Sequence, residues 1–424
     1  MRIAVIGGGI AGLTIANELI DAGVEVHLFE KNDDVAGECS FANGGQISVC
    51  NSSVWNTWQN VGKGLKWLFK KDAPLKISTS FDLDKLMWLA RFVSNVNEKS
   101  AIENTLKTIQ LGVTARSCLE EFMKETVGGE LVGSRVGYAD PDYKGMLQIF
   151  TSPKAIDDSQ QLIDTYSRLQ TDVYMQTNLA NRRLSNKEIM QHVPMQRFSS
   201  TIYGGLLFTR DKVADIHQLC QMYKKKLVTS GRAQILYNSE VTEIVKSGTQ
   251  NVLKLKQGHS WSAYDHVVVA NGWDIDRLTR KFGTKTNVYP VKGYSVSIEA
   301  GPDDLIPDYS LLHDDRKIVT STLKHSGKKI FRVAGTAELC GNNLDIPEHR
   351  ISPLIGWAYN NFKIKSEKYT KWSCLRPMAP DMLPVYGPTK NDKTVWVHGA
   401  HGHLGLTLAA GSAAGLACKM MSYM

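Results

Sequence analysis

Gly7, Gly9 and Gly12 stand in the spacing G-x-G-x-x-G, and Glu30 follows 18 residues after the last of them. Each position has a chemical reason. The first glycine permits a tight turn, the second lets the backbone come up to a pyrophosphate, and the third lets a helix pack closely on a strand. Ile10 and Ala11 then open that helix, whose first N–H groups face the phosphate charge. Glu30 ends the next strand, where a carboxylate accepts hydrogen bonds from ribose hydroxyls. The same carboxylate repels a 2′-phosphate, so FAD and NAD remain as the two dinucleotides. No metal chemistry competes with this reading. The seven cysteines are scattered, with no CxxC pair and no Cys/His spacing suited to a metal.

The elements that must position these groups are most legible at the start of the chain. Ile3 to Ile6 reads as a buried strand, Ala11 to Ala22 as a helix, and Val24 to Phe29 as a second strand; Gly23 stands where a helix end favours a left-handed residue. Residues 35–55 form a Gly/Ser/Asn-rich loop, and helical patterns continue to about residue 126. The stretch 130–210 mixes short strand and helix signals. A helix is expected from Val213 to Ser230, then a meander and a buried strand ending at Asn271-Gly272, and then long strand-like segments at 288–300 and 328–339. The chain closes on a strand, a glycine-rich turn and a helix of small residues. Buried-strand patterns at the beginning, middle and end predict a mixed α/β and α+β fold. It combines a Rossmann-like dinucleotide domain built from discontinuous segments (1–80, 200–285 and 370–424) with a substrate domain (81–199 and 286–369) carrying a mixed or antiparallel sheet. A length of 424 residues agrees with two domains.

Composition excludes little else. The formal charge of +8 comes from Lys and Arg spread along the chain with no nucleic-acid signature, so no nucleic-acid partner is expected. The N-terminus shows no charged region followed by an apolar one, and no stretch of about 18 uncharged apolar residues is expected to span a bilayer. With unpaired cysteines this predicts reduced thiols and a cytoplasmic setting. One segment stands apart: residues 58–71 interleave Trp58, Leu65, Trp67, Leu68 and Phe69 with Lys63, Lys66, Lys70 and Lys71. Two readings stay open. The pattern suits peripheral contact with an anionic membrane, on the inner face of the cytoplasmic membrane, where a quinone or respiratory acceptor would be found. It equally suits an amphipathic element packed on the core.

Five further blocks carry a resemblance: Ser40 to Ser48 (SFANGGQIS), Val291 to Ser295 (VKGYS), Arg332 to Glu338 (RVAGTAE), Leu375 to Asp381 (LRPMAPD) and His401 to Thr407 (HGHLGLT). With the glycine turn, they make the chain resemble the D-amino-acid dehydrogenase family of small-subunit type, within the FAD-dependent D-amino-acid oxidase and glycine oxidase superfamily, from residue 1 to about 415. The resemblance implies non-covalent FAD and hydride transfer from the amino acid to flavin N5. The imino acid then hydrolyses to a 2-oxo acid and ammonia, D-alanine being a typical substrate. It also implies electron transfer to a respiratory acceptor. An oxidase or dehydrogenase of glycine, sarcosine, D-proline or hydroxyproline on the same fold stays open. So do an inactive flavin-binding partner subunit and, by residues alone, a pyridine-nucleotide enzyme.

Arg376, the arginine of LRP, has in related glycine oxidases the role of gripping the substrate carboxylate, which guanidinium does bidentately; a structural salt bridge is the alternative. Tyr294, by resemblance, lines the same pocket, or is a buried tyrosine satisfied elsewhere. The strand carrying Arg332 points it outward on this reading. Ser40, Asn43, Gly44 and Gln46 are expected around one side of the isoalloxazine. Gly402, His403, Leu404, Gly405 and Thr407 are expected at its pyrimidine end, where N–H groups face developing negative charge. His403 departs from the small polar residue more usual there. Lys31, Val241 and Gly272 complete the expected cofactor contacts. Cys374 stands seven residues before Asp381, the spacing at which the sarcosine oxidase branch attaches its flavin covalently; the dehydrogenase branch has its cysteine one residue earlier and no bond. No catalytic base is demanded, because an amine that has lost its proton needs orientation above all.

Overall fold

A computed structural model of the chain describes residues 1–68, 73–126, 144–170, 179, 181–194, 202–325 and 327–423. The opening unit forms as its pattern predicts: strand Arg2–Ile6, helix Ile10–Asp21, strand Glu25–Phe29. The helix ends in a Schellman motif, with Gly23 at φ 84°, Val24 N–H donating to the Leu19 carbonyl and Gly23 N–H to that of Ile20.

These strands lie in a six-stranded sheet of order Val385–Pro388, Val395–Gly399, His266–Val269, Arg2–Ile6, Glu25–Phe29 and Ala233–Leu236. All neighbours are parallel except the antiparallel pair at the Val385–Pro388 edge. Strands from three distant parts of the chain thus build one doubly covered sheet, as near-continuous apolar runs require. Helices Ile10–Asp21, Ile216–Thr229 and Gly405–Tyr423 share an apolar core with one face of it. Asp215 fixes the start of the second helix by accepting from His217 N–H and Gln218 N–H. On the other face, the meander Val241–Ser247, Gln250–Leu255 and Ser260–Tyr264 buries Ile244 and Leu253 against Val267 and Val269.

The second sheet has nine strands and is mixed. Tyr369–Met378, Tyr289–Ala300, Lys328–Leu339, Ile318–His325, Ser310–His313, Met146–Phe150, Gly204–Phe208 and Arg182–Ser185 follow in that order, and Leu75–Ile77 joins Lys328–Leu339 from outside this path. The strands Gly204–Phe208 and Tyr369–Met378 therefore pair here and not in the parallel sheet. Helix Glu348–Asn361 covers one face, burying Ile351, Leu354 and Trp357 against Tyr294, Val296 and Ile298. Of the stretch 130–210, the described parts are Met146–Phe150, helix Pro153–Leu169, Arg182–Ser185, helix Asn186–His192 and Gly204–Phe208.

One expectation is corrected. Gly402–Tyr423 is long and apolar enough to cross a membrane by length and composition, yet most of it is buried in the protein. Its small residues serve helix packing: a Cβ on Gly411 would stand 2.7 Å from the Leu111 carbonyl oxygen, in helix Glu98–Thr126.

Candidate active site

The glycine turn has the geometry its spacing implies. Gly7 adopts φ 110°, and a Cβ there would lie 2.6 Å from the Ala270 carbonyl oxygen; one on Gly12 would lie 1.8 Å from the Gly7 carbonyl oxygen. At Gly9 only the Ser40 hydroxyl, at 3.4 Å, would meet it, so the backbone is open on the side a pyrophosphate would approach. The helix that follows has no acidic residue in its first turn and no cap from Gly9, and Ile10 N–H donates instead to Ser40 Oγ. Ala11 and Gly12 continue it. Glu30 is buried and accepts from Gly8 N–H at 2.7 Å and from the Asn32 N–H and amide. Burial holds its carboxyl above the usual carboxylate range. Lys31 is half exposed and pairs with Glu38. Val241 is buried at the head of its strand, and Gly272 takes φ 70° with open space around it. These residues fit a dinucleotide: a bare helix start, a turn without side chains and an acid at the second strand's end.

Two segments meet beside this turn. Gly45 N–H donates to Asn43 Oδ1, and Gln46 donates through its amide to Ser310 Oγ. A Cβ on Gly44 would lie 2.7 Å from Val319 Cγ2, so the loop lies flat on the large sheet. Thr407 joins this loop to the last helix, donating to the Gln46 carbonyl and accepting from Ser48 N–H, both at 3.3 Å. Gly402 and Leu404 lie in the turn that leads into that helix, which starts at Gly405. His403, in the same turn, stacks on Trp55 with ring centroids 4.5 Å apart, and its Nδ1 is buried without a hydrogen-bond partner. Burial, and then the charge of Arg376, push its imidazole down to about 3, so the ring is neutral.

Arg376 reaches across this face of the large sheet. Its Nη1 donates to the Thr336 carbonyl at 2.9 Å, and its guanidinium lies on Gly293, where a Cβ would stand 2.0 Å from Nη2. Among the described residues no carboxylate comes within ion-pair distance of it. The expected alternative, a structural salt bridge, is therefore not formed among them.

Tyr294 is not brought to Arg376. Side chains alternate along a strand, so Gly293 and Ser295 share one face, where Ser295 Oγ donates to the Ala42 carbonyl of the Ser40 to Ser48 loop. Tyr294 points to the other face, into the core under helix Glu348–Asn361, with its hydroxyl on Glu338. Lys292 and Arg350 approach the same carboxylate at 4.0 and 3.6 Å. Arg332 points inward, contrary to expectation. It is 6% exposed, donates to Ser297 Oγ and lies 3.8 Å from Asp215, holding the loop's Asn43 carbonyl at 3.5 Å.

Sequence reasoning missed several groups. Gly293 carried a signal, because a glycine inside a twelve-residue strand marks a close approach. Asp211 carried none; it is fully buried and accepts from Ser48 Oγ and Val49 N–H, with Arg116 3.8 Å away. Nor did the chain through Ser412: His398 Nδ1 lies 2.9 Å from the Ala11 carbonyl, and His398 Nε2 and His401 Nε2 each lie 2.8 Å from Ser412 Oγ. A carbonyl only accepts, so His398 carries its proton on Nδ1 and takes the Ser412 hydroxyl on Nε2.

With this geometry stands a set of likenesses. Residues 2–419 match the family described as DAO, FAD dependent oxidoreductase. The chain is 36% identical over 98% of its length, and 96% of the relative's, to a protein named D-amino acid dehydrogenase 3 from Mesorhizobium japonicum. It is 32% identical to a D-amino acid dehydrogenase from Sinorhizobium medicae, covering 97% and 94% of the two chains. Among solved structures, glycine oxidase from Geobacillus kaustophilus superposes with a TM-score of 0.72 at 19% identity, and that from Bacillus cereus with 0.71 at 17%; each comparison covers 100% of this chain and 95% of the other. At those identities the structural likeness speaks to the fold alone.

Proposed function

The chain belongs to the DAO family of FAD-dependent oxidoreductases, and from that premise we propose that it oxidises a small D-amino acid to its imino acid, which water hydrolyses to a 2-oxo acid and ammonia. The six-stranded sheet with its helices serves as the cofactor domain, and the nine-stranded sheet supplies the substrate wall. One observation carries the reading: Arg376 presents a guanidinium with no carboxylate partner among the described residues, on the sheet face that also receives the Ser40 to Ser48 loop. Such a group is a ready partner for the carboxylate that every amino acid brings.

FAD, when bound, supplies the acceptor for the hydride leaving the substrate Cα. The protein does the rest by placement. Gly7, Gly9, Ile10, Ala11 and Gly12 receive the pyrophosphate, and Glu30, Lys31, Val241 and Gly272 the nucleotide end. Ser40, Asn43, Gly44 and Gln46 form one wall around the ring system, and Gly402, His403, Leu404, Gly405 and Thr407 the other. Arg376 anchors the carboxylate, which fixes the Cα–H bond in direction. The neutral His403 ring and Trp55 form an apolar neighbour that excludes water from the guanidinium and strengthens its grip. Tyr294 has no part in this reading, since its hydroxyl is held on the opposite face.

The relatives named as dehydrogenases favour a respiratory acceptor over oxygen. Trp58 and Leu65 are each more than half exposed, Lys66 is exposed, and beyond the segment noted in the sequence Phe81 is 86% exposed with Leu83 and Leu86 beside it. This apolar and basic surface suits peripheral contact with a membrane that holds a quinone. Phe69, Lys70 and Lys71 lie outside the described residues, as does the Leu68 side chain.

An anaerobic panel of D- and L-amino acids, read by bleaching of the flavin absorbance, tests the reaction. Bleaching by small D-amino acids is the expected result; bleaching by none would overturn it. Stoichiometric peroxide formed in air without added acceptor would move the assignment to an oxidase.

A further inference from the structure

Thr336, whose carbonyl holds Arg376, does so from a backbone that a β-branched residue rarely adopts. Its φ is 60°, in the left-handed region. The strand pairing around it is irregular: Tyr294 stands opposite Gly335 and Lys292 opposite Glu338, so the single residue Gly293 faces both Thr336 and Ala337. This is a β-bulge, and bulges beside a site re-aim a side chain. The phase of the strand shows in which direction. Arg332 reaches the Asn43 carbonyl, and Ala334 lies 3.9 Å from where a Cβ on Gly44 would stand, so both face the Ser40 to Ser48 loop; Thr336 continues their face. Glu338 falls on the opposite face with Tyr294, whereas Ala337 and Leu339 pack with Val291 and Met378. Two consecutive side chains, 336 and 337, are therefore turned to the side on which the guanidinium lies.

Three hydrogen bonds hold the bulge. Ala337 N–H donates to the Pro74 carbonyl at 2.7 Å, the Ala337 carbonyl accepts from Arg350 Nη2 at 3.3 Å, and the Thr336 carbonyl accepts from Arg376 Nη1 at 2.9 Å. None of them involves the Thr336 hydroxyl. Its Oγ1 is buried and has no hydrogen-bond partner among the described residues. A strained conformation and an unpaired buried polar atom each cost stability, and a glycine at 336 would remove both costs. Their coincidence at the residue that orients the substrate anchor gives the hydroxyl a use in binding.

We propose that Thr336 is a second substrate-binding residue, whose hydroxyl donates to the carboxylate that Arg376 grips; this rests on the reading of Arg376 given above. One guanidinium N–H is occupied by the Thr336 carbonyl. The remaining N–H groups can take the two carboxylate oxygens as a fork, and those oxygens keep further lone pairs for a hydroxyl at the same end. One residue then does two things: its carbonyl orients the charge, and its side chain supplies another donor in fixed relation to it. A site built in this way favours an anionic acid over its neutral amide, whose NH2 group would meet N–H and O–H donors with a donor of its own.

The test uses the full-length, FAD-loaded protein, with D-alanine as substrate and propionate, the same acid without its amine, as a ligand read through the flavin spectrum. Thr336→Val keeps the branched shape and removes the hydroxyl. KM for D-alanine and Kd for propionate should each rise about tenfold, which is what one charged hydrogen bond contributes. FAD content should be unchanged and kcat should stay within about threefold. Because the hydroxyl has no partner in the protein itself, the urea midpoint should hold or rise; a merely structural hydroxyl would lower it and leave KM alone. Thr336→Ser should return KM and Kd to within about threefold of the parent, and Thr336→Ala repeats the comparison if the valine variant loses flavin. An unchanged KM in Thr336→Val, or one raised equally in Thr336→Ser, would overturn the proposal. So would a propionate affinity that holds while KM for D-alanine rises, since that would put the hydroxyl on the amine. The two readings fail separately: if Arg376→Ala raises KM and Thr336→Val does not, only the role of Thr336 falls, whereas bleaching by no amino acid would overturn both.

Discussion

Gly293 lies under the guanidinium of Arg376: a Cβ at 293 would stand 2.3 Å from Cζ and 2.8 Å from Nε, closer than atoms in contact can come. The glycine is a space reserved for the arginine. Gly293→Ala should push the guanidinium off the sheet, away from the Thr336 carbonyl, without touching the cofactor turn. The expected loss in kcat/KM for a D-amino acid is about 100-fold, with FAD content unchanged. Steady-state kinetics beside the flavin absorbance ratio of the purified variant checks both halves.

Arg376→Ala removes altogether the group proposed to hold the substrate carboxylate. Loss of one member of a desolvated charge pair costs about 2–5 kcal/mol. KM should therefore rise by about 30-fold or more, while FAD stays bound, because the hydrogen bond this side chain makes among the described residues is to the Thr336 carbonyl and not to the glycine turn. Arg376→Lys keeps the charge but not the fork, and should recover only part of the loss. Bleaching rates as a function of amino-acid concentration separate the two variants. An Arg376→Ala enzyme with unaltered KM would remove the anchor from the mechanism.

The cofactor half of this site was legible because its constraints are local. Gly7, Gly9 and Gly12 act within one turn, and Gly23 ends the helix by a left-handed backbone that only its own neighbours determine. The substrate half depends on sheet pairing across long separations, which a single sequence does not reveal. The resemblance blocks put Tyr294 beside Arg376 and leave a buried tyrosine satisfied elsewhere as the alternative; a one-residue step along a strand reverses the face, Tyr294 is one step from Gly293, and the buried arrangement is the one that forms. Arg332 failed in the opposite direction: its partner Asp215 lies on a helix start far away in sequence. The apolar last helix satisfies the test for a membrane span by length and composition, and only its burial in the protein shows it to be a packing element.

Buried imidazoles predict an acid-labile fold. Burial pushes His398 and His313 each down to about 4, so both are neutral in the folded protein. Unfolded, they regain an ordinary histidine's affinity for protons. Between about pH 6.5 and 4 the unfolded chain binds more protons than the folded one, and stability falls as pH falls. Each site contributes a slope approaching about 1.4 kcal/mol per pH unit within that window. Urea midpoints measured from pH 7.5 to 5 should drop steadily. In His398→Asn the drop should be shallower, even though the variant starts from a lower value because Ser412 and the Ala11 carbonyl lose their partner.

The exposed apolar and basic surface makes a claim about location that flotation can check. Trp58 and Leu65 expose 61% and 58% of their surface. Trp58→Ser with Leu65→Ser should release the protein from vesicles containing anionic phospholipid and should slow reduction of a membrane quinone. Flavin bleaching by the amino acid should be unaffected, since both side chains are turned mostly to solvent. Equal flotation of both proteins on anionic vesicles would count against this surface.

Tyr294 offers the sharpest separation between residues that bind substrate and residues that hold the wall in place. Its hydroxyl donates to Glu338, a carboxylate that Lys292 and Arg350 also approach, and the ring lies 5.4 Å from Lys292 Nζ and 5.7 Å from Arg350 Cζ. Burial, then that carboxylate, raises the phenol far above its usual range, so it remains a donor at all working pH values. Tyr294→Phe keeps the ring and both cation contacts but leaves Glu338 one donor short. A buried charged acceptor that loses a donor costs about 1–3 kcal/mol. The expected outcome is a lower unfolding midpoint with KM for the D-amino acid within about twofold of the parent. A residue that donated to the substrate carboxylate would show the reverse, an unchanged midpoint and a KM raised tenfold or more, roughly what one charged hydrogen bond contributes. Denaturant titration and initial rates on the same preparation therefore decide on which face of the strand this hydroxyl does its work.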